Sequence, residues 1–261
     1  MSEHQENSIV HAVEQLSASF YRLTLHAPLI AVSAQPGQFV MAACGLSLDP
    51  LLRRPFSIHR CIDSDVIQLL FRVTGRGTRL LSEVRPGQSL SLIGPLGRGF
   101  RLSASSSVCL IGGGIGIAPL LFLADRLQSA VPAASPPIVL LGSRSGQELN
   151  LLTAAFSTLG CRVETATDDN SLGHHGLVTD LLPPHLSEIQ KVYACGPHPM
   201  MATVAGLCQV AQVSCEASLE AHMACGLGAC LGCTIHGADH RYRHVCKHGP
   251  VFNAEEVAWN R

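Results

Sequence analysis

Two patterns of apolar positions divide the chain. Up to about Leu102 the apolar residues come in short runs broken by turn residues. Phe20-Tyr21-Arg22-Leu23-Thr24-Leu25 alternates with the two-residue period of a half-buried strand. Pro36-Gly37-Gln38 turns into the apolar strand Phe39 to Ala43, and Arg54-Pro55-Phe56-Ser57-Ile58 and Val66 to Val73 follow. Pro86-Gly87-Gln88 is a second turn, before Leu90 to Ile93, and Thr78 to Glu83 predicts one short helix. Many short strands with Gly/Pro turns predict an antiparallel sandwich or barrel. From Val108 the pattern changes. Val108 to Ile111, Ile138 to Leu141, Cys161 to Thr165 and Lys191 to Cys195 are continuous apolar or mixed runs of strand length, the first of them wholly apolar, as a strand buried on both faces requires. Between and after them, Leu120 to Gln128, Leu149 to Leu159 (with Gly160 in the stop position) and Met200 to Val210 read as helices. Strands alternating with helices predict a parallel α/β sheet. The fold expected is multidomain, β plus α/β, with a small cysteine-rich tail.

Composition narrows this. The chain has 261 residues, enough for two compact domains, with 47% hydrophobic residues, 14% charged residues and a net charge of -1. That balance argues against a nucleic-acid partner. No apolar run reaches the roughly eighteen residues of a membrane span. Met1 to Asn7 is polar and acidic, unlike a secretory signal, so the eleven cysteines are expected in a reducing cytoplasm, serving metals or cores. Val131 to Pro137 is a Pro/Ala-rich loop.

The cysteines carry the sharpest chemistry. Cys225, Cys230, Cys233 and Cys246 stand in the spacing C-x4-C-x2-C-x12-C, the plant-type [2Fe–2S] arrangement. Thiolates also bind zinc, but a zinc ribbon shows two C-x2-C knuckles where this tail shows one. Gly226, Gly228 and Gly232 allow the close approach of backbone N–H groups that a cluster needs. Iron–sulfur is favoured over structural zinc and over a disulfide pair. His236, His240, His244 and His248 read as polar loop residues, since four Cys complete a cluster, and Cys44, Cys61, Cys109, Cys161, Cys208 and Cys215 as buried thiols.

Gly112-Gly113-Gly114-Ile115-Gly116 joins a strand to a helix, which places free N–H groups and a positive helix end against a phosphate. The spacing is not G-x-G-x-x-G, and a tight turn without a ligand is the alternative. Gly142-Ser143-Arg144 and Cys195-Gly196-Pro197 are expected on the same carboxyl edge. Arg54-Pro55-Phe56-Ser57, with Gly75 to Thr78, suits either a flavin and its pyrophosphate or a solvated edge strand. No acid–base pair or nucleophile stands out, so no catalytic residue is assigned.

Together these segments, with Leu92 to Gly97, Gly176 to Leu182 and Ser218 through Phe252, resemble the ferredoxin-reductase superfamily and, within it, the electron-transfer subunits of dihydroorotate dehydrogenase B. His222 stands where members often carry Arg. The resemblance implies three modules: a Greek-key β-barrel for FAD over 1–103, an α/β domain for the nicotinamide cofactor over 104–214, and a [2Fe–2S] module over 215–261. It implies FAD contacts from Arg54, Pro55, Phe56, Ser57, Phe71, Arg72, Val73, Gly77 and Thr78, and NAD contacts from Gly112, Gly113, Gly114, Gly116, Arg144, Cys195 and Gly196. Arg144 would also suit the 2′-phosphate of NADP, while the resemblance favours NAD. The implied partner is an FMN-containing dihydroorotate dehydrogenase catalytic subunit, two of each in a heterotetramer, with no nucleic acid and no membrane. A subunit of an NAD(P)H–ferredoxin or sulfide-type complex, a non-catalytic redox sensor and a zinc-stabilised interaction module remain open.

Overall fold

The structure is a computed structural model that describes residues 3–45, 49–103, 107–130 and 136–259. Most of the Val131 to Pro137 loop lies outside the described residues. The first part is a closed antiparallel barrel of six strands in the order β1-β2-β5-β4-β3-β6. These are β1 (His4–Gln15), β2 (Phe20–His26), β3 (Phe39–Ala42), β4 (Arg54–Ile62), β5 (Val66–Arg72) and β6 (Ser89–Leu96), with short helices α1 (Pro28–Ala31) and α2 (Arg76–Ser82) in the connections. The alternating positions Leu23, Leu25, Ile58, Ile67, Leu69 and Leu92 fill its interior. Strand β1 is an addition to the expected set. Its polar sequence hides a two-residue alternation in which only Ser8 and Val10 are fully buried.

The second part is a seven-stranded sheet of β7 (Val108–Gly113), β8 (Ile138–Ser143), β9 (Arg162–Thr167), β10 (His174–His175), β11 (Lys191–Cys195), β12 (Ser214–Ser218) and β15 (Val251–Asn253), in the order β10-β9-β8-β7-β11-β12-β15. All neighbours are parallel except β12 with β15. Helices α3 (Ala118–Ala130), α4 (Gly146–Thr158) and α5 (His198–Ala211) make the crossovers. Between β12 and β15 the chain leaves the sheet to form the cysteine loop, the hairpin of β13 (Thr234–His236) and β14 (Tyr242–His244), and the single turn α6 (Val245–His248) that carries Cys246. The expected boundary at 214/215 therefore falls inside β12. Residues 214–218 and 251–253 complete the α/β sheet, because their pairing with β11 and with each other satisfies backbone groups that would otherwise form an open edge.

Helix α3 wedges the two parts together. Phe122 belongs to the barrel core, while Leu120, Leu121 and Leu123 face the sheet. The buried ring of His59, on β4, donates from Nδ1 to the carbonyl of Ala118 at 2.7 Å. Among the described residues no helix is long and apolar enough to cross a membrane.

Candidate functional site

The four cysteines of the tail converge. Cys233 and Cys246 lie with their sulfurs 3.2 Å apart in the buried part of the loop. Cys225 and Cys230 form the outer pair, half-buried and exposed respectively, in side-chain contact. Among the described residues no three His, Cys, Asp or Glu side chains close on a single-ion point. Two pairs of thiols suit two irons better than one tetrahedral zinc. Backbone N–H groups turn toward the sulfurs: Leu227 and Cys230 to Cys225 at 3.4 Å each, Gly228 to Cys246 at 3.1 Å, and Cys246 to Cys233 at 3.4 Å. The N–H of Cys230, chief among the neighbouring donors, pulls the Cys225 thiol down to about 6, while burial pushes Cys246 up to about 12. Gly226 and Gly228 have φ of +72° and +77°, where a side chain is strained, and a Cβ on Gly226 would come within 2.5 Å of Met41 in β3. The loop is thus seated on the barrel wall. Its other side leaves Leu227 and Leu231 about half exposed.

Behind that loop lies a cleft of about 490 Å³ between barrel, sheet and β12. The barrel contributes Arg54, Pro55, Phe56, Ser57, Phe71, Arg72 and Thr78, seven of the nine residues expected at a flavin. The other two stand back. Val73 packs on the barrel core and donates its N–H to the Ser19 carbonyl at 2.9 Å. Gly77 leaves room beneath Arg54, where a Cβ would sit 3.3 Å from Nε. Cys195, expected with the nicotinamide cofactor, opens into this same cleft. Burial, then the charge of Glu220, push its thiol up, so it stands as a neutral SH beside Ser218. The far wall, Ser218 to Met223 with Pro250, carries no local sequence signal of a site outside the family resemblance, because it is assembled from β12 and the approach to the cysteines. There desolvation raises the Glu220 carboxyl, although part of the residue reaches solvent.

A second cleft, of about 460 Å³, opens at the carboxyl ends of β7, β8 and β9. The register sets Gly113 beside Gly142 and Cys195 beside Gly112, so the three glycine-bearing strand ends do share one edge. Gly113, Gly114, Gly142, Ser143 and Arg144 line it, with Glu148, Asp168, Val178, Thr179 and Met200. Gly112 and Gly116 serve packing: a Cβ on Gly112 would meet Leu120 at 2.8 Å, and one on Gly116 would meet the Cys195–Gly196 backbone at 2.5 Å. Gly196 is accordingly pressed against the Gly-rich turn. Arg72 alone among the described residues lines both clefts. A third cavity, about 1020 Å³ along α5 and the C-terminal segment, shares no lining residue with either.

Residues 220–258 match the family model described as the iron–sulfur cluster binding domain of dihydroorotate dehydrogenase B. The chain is 41% identical over 257 residues to the dihydroorotate dehydrogenase B (NAD(+)) electron transfer subunit of Desulforamulus reducens, covering 96% of this chain and 97% of that one. It is 38% identical to the subunit of the same name from Bacillus caldolyticus, over 97% and 98% of the two. Among solved structures, an NADH-dependent reduced ferredoxin–NADP oxidoreductase, studied for flavin-based electron bifurcation, superposes with a TM-score of 0.86 at 25% identity, over 98% of this chain and 91% of the other. A ferredoxin NADP+ reductase from Neisseria gonorrhoeae with bound FAD and NADP superposes at 0.67 and 16% identity, over 84% and 100%, which shows the shared fold.

Proposed function

The chain belongs to the family of dihydroorotate dehydrogenase B (NAD(+)) electron-transfer subunits, and from that premise we propose that it relays electrons from the FMN of a catalytic partner to NAD. The observation that carries the reading is continuity: Met223 lines the flavin cleft and the same loop runs directly into Cys225. The three modules are the barrel over 1–103, the nucleotide domain over 104–214 and the cluster module over 215–261, the last returning two strands to the sheet. When bound, a [2Fe–2S] cluster supplies one-electron transfer, and FAD joins that to hydride exchange with NAD.

The chain's own residues bind, orient and insulate. Cys225, Cys230, Cys233 and Cys246 hold the cluster, with backbone N–H groups stabilising thiolate charge. Arg54, Pro55, Phe56, Ser57, Phe71 and Thr78 hold the flavin against the barrel, and the neutral thiol of Cys195 closes the other side without acting as a nucleophile. Gly113, Gly114, Gly142 and Arg144 receive the nicotinamide dinucleotide at the sheet edge. The exposed Leu227 and Leu231 support a cluster at the face that meets the catalytic subunit. The assembly we propose is two of each, in the cytoplasm.

Co-purification from the native cell tests this. The expected result is an FMN-containing subunit that oxidises dihydroorotate. The similarity to the ferredoxin–NADP oxidoreductase supports a second reading, a flavin and cluster subunit of a bifurcating complex, and recovery of such a partner would replace the substrate while keeping the cofactors. A purified chain that fails to pass electrons from NADH to an artificial acceptor would point instead to a redox sensor.

A further inference from the structure

Between the flavin cleft and the nucleotide cleft stands one ion pair. Arg72, at the end of β5, donates from Nη2 to Oε1 of Glu148, in the first turn of α4, at 2.9 Å. Their side chains are 22% and 15% exposed, and the guanidinium lies 4.7 Å from the centroid of the Phe20 ring. An arginine and a carboxylate in such a position usually close two parallel hydrogen bonds. Here they close one. Arg72 Nε and Glu148 Oε2 are both shielded from solvent and both without a partner. A buried donor and a buried acceptor left unmade weaken the pair, so it gains by exchanging one partner for another.

The position of the pair says what the other partner is. The inference rests on the reading of the two clefts as nicotinamide-dinucleotide and flavin sites. A dinucleotide with its adenosine on the Gly142–Arg144 edge and its nicotinamide at the flavin has to carry its diphosphate across the gap, and Arg72 lines both sides of that gap. We propose that Arg72 also binds the diphosphate of the dinucleotide, and that Glu148 is an internal competitor that holds the guanidinium when the cleft is empty. Glu148 keeps Arg72 aimed into the gap, and its negative charge lowers the affinity for a dianion there. The device makes dinucleotide binding weaker than Arg72 alone would make it, which lets the dinucleotide leave.

The test uses the FAD- and cluster-loaded protein and two probes, ADP-ribose, which carries the diphosphate, and adenosine, which does not. In Arg72→Gln, ADP-ribose binding, measured per bound FAD, is expected to weaken at least tenfold and adenosine binding less than twofold. Arg72→Lys should recover part of the loss. Glu148→Gln, which keeps the shape and removes the charge, should tighten ADP-ribose several-fold and lower the KM for NADH more than it changes kcat. Equal losses for both probes in Arg72→Gln, or weaker ADP-ribose binding in Glu148→Gln, would each overturn the proposal. Wild-type protein that binds neither probe would overturn the dinucleotide reading itself, and the proposal with it.

Discussion

His59 links the barrel to the helix that lines the flavin cleft. Its ring is 1% exposed, and Nδ1 is hydrogen-bonded to the carbonyl of Ala118, a residue of the cleft wall. Burial holds its pKa down to about 4 against an ordinary 6.5, although the bond to Ala118 works the other way. A histidine buried neutral costs stability wherever the unfolded chain takes a proton that the folded one refuses. The sign follows: stability is complete above pH 6.5 and is lost progressively as the pH falls from 6.5 toward 4. The size of the loss is on the order of 3 kcal/mol, from 1.36 kcal/mol per pKa unit. Urea unfolding at pH 7 and pH 5 should show the difference, and His59→Asn should be less stable at pH 7 but lose much of the pH slope. An unchanged slope would mean that other groups dominate acid unfolding.

At the scale of elements, the cysteine loop depends on how closely it approaches β3. Gly226 combines a φ of +72° with a Cβ direction that points at Met41, which is itself fully buried. Gly226→Ala adds left-handed strain of roughly 1–2 kcal/mol and a contact that only movement of the loop or of Met41 relieves. The expected outcome is less iron and acid-labile sulfide per chain, with FAD content retained, because the flavin wall of the barrel is built mainly from β4 and β5. Equal cluster content in the variant would show that the loop is seated by other contacts. The strands with continuous apolar runs, Val108 to Ile111 and Ile138 to Leu141, were legible because burial on both faces leaves no polar positions. Strand β1 was not, because its outward residues are charged and its inward ones include Ser8. The convergence of the four cysteines was legible because their spacing is local. Glu148 and Ser218 were not read as site residues, because each acquires its place only when α4 meets β5 or β12 meets β11. The glycines of the Gly-rich turn look alike in sequence, and only the packing of Gly112 on Leu120 and of Gly116 on Cys195 and Gly196 separates the structural ones from those that face the cleft.

At the scale of the whole molecule, the clefts and the loop form one line, and its two ends can be broken separately. The inner thiol pair, Cys233 and Cys246, is buried, whereas Cys230 and the apolar Leu227 and Leu231 look outward. Leu227→Asp puts a charge into a surface that has to lose water when a partner covers it, and burying an unpaired charge there is prohibitive. The variant should keep its cluster spectrum and its NADH-to-dye activity while failing to co-elute with the catalytic subunit in size-exclusion chromatography. Cys230→Ser cuts the line one step further in. It leaves the apolar surface in place, so the complex should assemble, and the NADH-to-dye reaction, which needs only the flavin and nucleotide clefts, should stay within a few-fold of wild type. Electron transfer from dihydroorotate to NAD should fall at least a hundredfold in both variants. One loses assembly with the cluster intact, and the other loses the cluster with assembly intact. An assembled Leu227→Asp complex with normal turnover would move the partner to another face of the molecule. A Cys230→Ser complex that still reduced NAD from dihydroorotate would mean that electrons reach the flavin without passing through these four thiols.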